Sequence, residues 1–324
     1  MCDSWLQEIA GTVPHGCEVQ LHLGSQVGLS FNLVRIVEPV IQSTSVVKFE
    51  DDNVGEVVST VGLKAEISVA KQVLNHLGKS SGKFQIGTSG YIYKHWKGVV
   101  YPEQVPQKKW FEYYTHIFDT AEINNTFYRL PSHEVFETWR DQAPAGFCYA
   151  LKFSRFGTHL KRLKDPYQPI SLFIDHAARL GKDLIGPILV QLPPKFDVNV
   201  ERLRDFLKYA PREYRWAIEF RDTSWFCDDV YDLLRAHNAS LCIHDHEDIK
   251  CVHPQVLTAD WIYLRFHGKN YKHRYNMKQL QKHASWIQKQ LVAGVDVFAY
   301  FNNDHCGYAV SNAIKLRELV MGKK

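Results

Sequence analysis

AEINNTFYRL, residues 121–130, decides how the rest of the chain is read. It begins as a buried strand should, and strand side chains alternate with period two, so Glu122, Asn124, Thr126 and Tyr128 fall on one face. One face of a buried strand then carries an acid, an amide and two hydroxyls. Such a strand has a natural place in a parallel barrel, where polar residues collect at the carboxyl end because that end lines the mouth.

Working outward from this stretch, short apolar, β-branched and aromatic runs alternate with longer amphipathic ones from residue 83 onward. That is the pattern of a parallel sheet with crossover helices. The predicted strands are 84–90, 120–128, 148–154, 187–193, 216–221, 240–245, 261–268 and 297–303. Eight is the count of a closed (β/α)8 TIM barrel, and residues 83–324 are close to the roughly 250 residues such a barrel needs. Between the strands, Val200, Leu203, Phe206, Leu207 and Ala210 form one helical stripe, and Leu280, Ala284, Ile287 and Leu291 form another. The stretch 246–259 has room only for an abbreviated sixth helix. Residues 1–82 stand apart as an irregular N-terminal extension, with a strand-like run (VVKFEDD), one helical pattern (AEISVAKQVLNHL), a GKSSGK junction and a composition compatible with partial disorder.

Of 324 residues, 45% are hydrophobic and 13% aromatic, which excludes a disordered chain. The net charge of +4 permits an anionic partner without demanding one. Seven cysteines without a CxxC pair read as free thiols of a reducing compartment. The start lacks a secretory signal and no apolar run is long enough for a membrane span. The expectation is a cytoplasmic protein with no membrane partner, the nucleus also being open to it.

Polar positions are unexpected on strands buried on both faces, yet they recur at the carboxyl ends: Glu122, Lys152, Gln191, Glu219 with Arg221, Arg265 with His267, and Asn302 with Asn303. Buried charges must be paired, so an ion network alone could explain any one of them. Five charges on four strands point instead to a functional site.

GTSGYIYKHWKGVVYP (87–102), EINNTFYRLPS (122–132), LKFSRFGTHLKRL (151–163), QLPP (191–194), IEFRDTSW (218–225), RFHG (265–268) and YFNN (300–303) occur in order. Together they resemble the YecE-like family, domain of unknown function 72, over essentially all of 83–321. The resemblance implies a TIM barrel and puts Glu122, Lys152, His159, Gln191, Glu219, Arg221, Trp225, Arg265, Asn302 and Asn303 at motif positions. It brings no established reaction, although a likeness of the fold to endonuclease IV suggests nucleic-acid binding. Tyr91 departs from the family's usual tryptophan, and the extension has no counterpart.

Chemically, Lys152, Arg221 and Arg265 favour an anionic ligand, since guanidinium forks match carboxylate or phosphate. The loop after strand three adds Arg155, His159, Lys161, Arg162 and Lys164. Trp96, Tyr101, Tyr128 and Trp225 are candidate surfaces for a base or sugar ring. Glu122 and Glu219 are the candidate acid and base. The same cations limit the site to at most one divalent metal, with Asp245 and His267 as candidate ligands and His244 with His246 as a further pair. The leading expectation is a hydrolase-like enzyme, for a phosphoester or a glycoside, acting on a phosphate-bearing, ring-containing substrate such as nucleic acid. A non-catalytic nucleic-acid-binding barrel and a metal-independent carbohydrate enzyme using the two glutamates are the alternatives.

Overall fold

The computed structural model describes residues 20–21, 31–32, 81–246 and 255–322. The chain divides into two compact units, Met1–Ser80 and Ser81–Lys324. In the first, Gln20–Leu21 pairs antiparallel with Phe31–Asn32. The runs VVKFEDD and AEISVAKQVLNHL lie outside the described residues, as do 247–254 of the expected short sixth helix.

The second unit is a (β/α)8 barrel. Its strands are β1 (Phe84–Thr88), β2 (Thr120–Ile123), β3 (Cys148–Lys152), β4 (Ile185–Gln191), β5 (Trp216–Glu219), β6 (Ser240–His244), β7 (Trp261–Phe266) and β8 (Asp296–Phe301). From β2 to β8 each strand pairs in parallel with its sequence neighbour, and β8 pairs back onto β1. The seam between β1 and β2 is held by a bridge between Ser89 and Glu122 and by the Gly90 amide donating to the Glu122 carbonyl at 2.7 Å. Gly87 makes this seam possible, because a Cβ there would stand 2.1 Å from the Thr120 carbonyl oxygen.

The main helices are α1 (Trp110–Thr115), α2 (His133–Gln142), α3 (Tyr167–Ala177), α4 (Val200–Tyr209), α5 (Asp228–Ala236), α6 (Met277–Val292) and α7 (Tyr308–Met321). In α4 the buried residues are Leu203, Phe206 and Leu207, and the Asn199 side chain caps the start by accepting from the Arg202 amide. Helix α6 starts with a reciprocal capping box between Asn276 and Gln279 and buries Leu280, Ala284 and Ile287. These stripes meet the outward faces of the strands in one continuous apolar layer. A separate cluster fills the barrel itself: Cys148, Ala150, Leu189, Ala217, Cys242, Trp261, Tyr263, Phe298 and Tyr300.

One expectation fails inside the opening stretch. Strand β2 ends at Ile123, and Asn125–Tyr128 is a single helical turn. Thr126 donates to the carbonyls of Ile123 and Lys152, at 3.1 and 2.8 Å, which pins that turn against β3. Glu122 therefore points into the barrel as expected, whereas Tyr128 projects outward and is 74% exposed.

Candidate functional site at the barrel mouth

Polar side chains enter at the last or next-to-last residue of most strands, directly above the apolar filling. Glu122 and Glu219 are both fully buried. Arg265 lies between them, its Nη2 donating to Glu122 Oε1 at 2.7 Å and its Nη1 to Glu219 Oε2 at 2.6 Å. Glu122 also accepts from the Ser89 hydroxyl and, at 2.7 Å, from Tyr263. Ser89 in turn accepts from Asn124 Nδ2 at 2.8 Å, so the seam that closes the barrel also orients the carboxylate.

Glu219 accepts on Oε1 from Gln191 Nε2 at 2.6 Å and from Arg221 Nε at 2.5 Å. Burial alone would raise its pKa, but Arg221 and Arg265 overcome that and hold it well below the usual carboxylate range. Both oxygens of each glutamate are therefore occupied by donors, with a guanidinium between the pair. This arrangement leaves no place for a scissile glycosidic bond between the carboxylates, as acid and base catalysis by the pair would require.

Lys152 is placed differently. Its Nζ donates to Gln191 Oε1 at 2.9 Å and sits 4.2 Å from the centroid of the Phe127 ring. Among the described residues its partners are thus an amide and a ring rather than a carboxylate. Burial, followed by the charge of Arg265, pulls its pKa from 10.5 to about 8. His159 stands edge-on to the same Phe127 ring, with centroids 5.0 Å apart. Partial burial and the Lys152 charge push its pKa down to about 4, so it is neutral at physiological pH.

His159 rides on a π-helical turn, Phe156–Leu160, in the basic loop after β3. The loop continues through Arg162, Leu163 and Asp165, all at positive φ near 44–63°. Three non-glycine residues in that region within four positions are strained backbone of the kind that accumulates around functional sites. Arg155, Arg162 and Lys164 are exposed, while Lys161 pairs with Asp165 at 3.2 Å.

The structure thus brings together Glu122, Lys152, His159, Gln191, Glu219, Arg221 and Arg265. Asn302 stands at the edge, its amide 3.1 Å from His267 Nδ1. Three expected site residues are elsewhere. Trp225 is fully buried, stacks on Phe220 at 4.8 Å and donates to the Phe196 carbonyl, so it offers no face to a ligand. Asn303 is buried and donates to the His273 carbonyl and to Asn312 Oδ1, tying the end of β8 to the segment before α6 and to α7 itself. Asp245 accepts from the amides of His267 and Gly268 and from the Tyr275 hydroxyl, so it anchors backbone instead of facing a metal. Trp96 and Tyr101 are buried too, and of the four expected ring surfaces Tyr128 alone is exposed.

Sequence reasoning missed Ser89, Asn124 and Tyr263 as the groups that hold Glu122. The GTSG signature at the end of β1 was visible, but its role depends on the β1–β2 seam.

A metal centre fits the mouth poorly. Glu219, His244 and His267 bring ligand atoms within 4.8 Å of one another. Yet Glu219 is occupied by two arginines and a glutamine, and both ring nitrogens of His244 are engaged, Nε2 lying 3.0 Å from the Phe220 carbonyl oxygen and Nδ1 accepting from the His246 amide at 3.3 Å. Burial first, and then the charge of Arg265, hold His267 well below its usual pKa, and the two arginines paired with Glu219 oppose a further cation.

Residues 85–324 match the family model described as "Protein of unknown function DUF72". The chain belongs to the DUF72 family. A UPF0759 protein, YunF of Bacillus subtilis, is 28% identical over 257 residues, covering 68% of this chain and 90% of that protein. The YecE protein of Escherichia coli K12 is 30% identical over 116 residues, covering 36% of this chain and 42% of YecE. Among solved structures, a DUF72 family protein from Thermotoga maritima superposes with a TM-score of 0.68 at 28% identity, covering 74% of this chain and 99% of that one. A DUF72 family protein from Enterococcus faecalis gives 0.64 at 18% identity, with 74% and 95% covered, and shows the shared fold. The barrel and the family expected from the sequence therefore both stand. Among the described residues no helix is long and apolar enough to cross a membrane.

Proposed function

We propose that the barrel mouth binds a phosphate-bearing, ring-containing molecule, such as a nucleotide or a nucleic-acid end, and acts on it as a hydrolase-like enzyme. One observation carries the reading: among the described residues three cations share the mouth with two carboxylates, and Lys152 is the one of the three that pairs with neither. A protein holding a purely structural network gains nothing from a surplus buried ammonium, which burial destabilises. An anion entering beside Lys152 and Arg221 would supply the missing charge. Tyr128 and Phe156, 74% and 47% exposed in the loops after β2 and β3, offer rings to a base or sugar.

In this reading Glu122 and Glu219 fix Arg265, Arg221 and Gln191 in place. The proton-transferring group is Lys152, whose pKa near neutrality suits an acid or base.

The test follows the melting temperature of the full chain against nucleotides, short DNA and RNA, and sugar phosphates, with and without chelator, then looks for product with any ligand that stabilises. A shift with one phosphate-bearing class, lost in Arg221→Gln and accompanied by chelator-insensitive turnover, supports the proposal. A shift without product would leave a binding barrel in place of an enzyme. Stabilisation by neutral sugars alone would overturn the anion site.

A further inference from the structure

We propose that His133, Asp175 and His176, on the outer helices α2 and α3, form a site for one divalent transition-metal ion. Helix α2 begins at His133, and Asp175 with His176 occupies the last turn of α3. The ligand atoms of the three side chains lie within 4.8 Å of one another. His133 Nε2 is 2.9 Å from Asp175 Oδ2, and the two imidazole centroids are 4.2 Å apart.

The detail that distinguishes this cluster from a chance meeting of polar surface residues is the second nitrogen of His176. Its Nδ1 lies 2.7 Å from the Pro131 carbonyl oxygen, which can only accept, so Nδ1 carries the proton and the Nε2 lone pair is left for a ligand. A ring proton anchored on a backbone carbonyl is the usual support of a metal-binding histidine, fixing both tautomer and orientation.

The local field has the right sign as well. The Asp175 carboxylate faces two imidazoles, the reverse of the mouth, where arginines flank the carboxylates.

Bonds of about 2.0–2.2 Å in tetrahedral geometry set ligand atoms roughly 3.3 Å apart, so the cluster closes on an ion by side-chain rotation. Asp175 is exposed and both histidines are partly so, which leaves that rotation free. Two imidazoles and one carboxylate suit zinc, copper, nickel or cobalt rather than magnesium or calcium, with a further position open to water. On binding, the ion takes the place of the proton between His133 Nε2 and Asp175 Oδ2, and the neutral His133 ring carries its proton on Nδ1 instead. The bound ion would clamp α2 to α3 across the outside of the barrel.

The experiment is calorimetric titration of the full chain with Zn2+, with the Co2+ absorption spectrum as a check on coordination. His133→Ala, His176→Ala and Asp175→Asn should each weaken one binding equivalent by roughly tenfold or more. The double histidine variant should lose that equivalent and the cobalt band, with no fall in its metal-free melting temperature. His267→Gln, in the mouth, should retain it. Absence of Zn2+ binding by the unmodified chain would overturn the site, and so would a double variant that binds as many equivalents as tightly, or a loss confined to His267→Gln.

Discussion

The floor and the mouth of the barrel are built on the same strands, a few residues apart, and follow opposite rules. The floor, with Leu189, Ala217, Trp261, Phe298 and Tyr300, is a close-packed apolar plug. The mouth places two carboxylates, two guanidiniums and an ammonium at nearly the same depth. Tyr263 is the boundary between them: its ring packs on Tyr300 at 5.2 Å and its hydroxyl donates to Glu122. Fold stability alone explains the floor. It explains the mouth where the charges pair, and among the described residues Lys152 is the mouth cation that pairs with neither glutamate.

The contrast breaks most sharply at Arg265. Replacing it with Met leaves two buried carboxylates facing each other, and the expected loss is about 3–5 kcal/mol in urea unfolding. A variant of near-normal stability would show that the network is dispensable. On the floor, Leu189→Ala should cost about 2–5 kcal/mol through the cavity it opens. It should leave any ligand-induced melting shift intact, separating packing from binding. At the boundary, Tyr263→Phe keeps the ring and removes one donor from Glu122, for roughly 1–3 kcal/mol by the same assay.

The smallest effect is a pH dependence. Lys152 has a pKa of about 8 when folded, against an ordinary 10.5. Below pH 8 it is protonated in both states; between 8 and 10.5 the unfolded chain holds the extra proton, so this group's contribution to stability rises with pH across that window. The gain is at most about 3 kcal/mol, read as the difference between the natural chain and Lys152→Met in parallel melts. Over the lower part of the same window anion affinity should fall as the ammonium loses its charge. A flat difference across the window would place Lys152 at its ordinary pKa and remove the argument for a tuned amine.

What was legible in the sequence follows the same division. Eight short strands could be read because each is a compact apolar run bounded by turns, and the mouth because charged residues are anomalous on strands buried on both faces. The end of β2 could not be read: Asn-Thr-Phe-Tyr carries the period of a strand, yet after Ile123 it forms one helical turn that Thr126 fastens to β3. Trp225 and Asn303 lie in motif segments but support the fold, since a motif records a shared local structure whichever side chain in it faces the ligand. The grip of Ser89 and Tyr263 on Glu122 joins residues 33 and 141 positions apart. Only closure of the barrel brings them together. Nor could the sequence show that each glutamate would meet at least three donors and so be less available than Lys152.

The central claim is that Lys152 is kept for a ligand rather than for the fold, and it is tested most directly by the melting temperature of Lys152→Met beside the natural chain at pH 7, with and without a stabilising phosphate-bearing ligand. The ligand-free variant should melt at or above the natural chain, since a desolvated charge has been replaced by a methionine of similar shape, and it should lose the ligand-induced shift. A variant that melts well below the natural chain, or that keeps the full shift, would contradict the claim and return the mouth to a structural ion network.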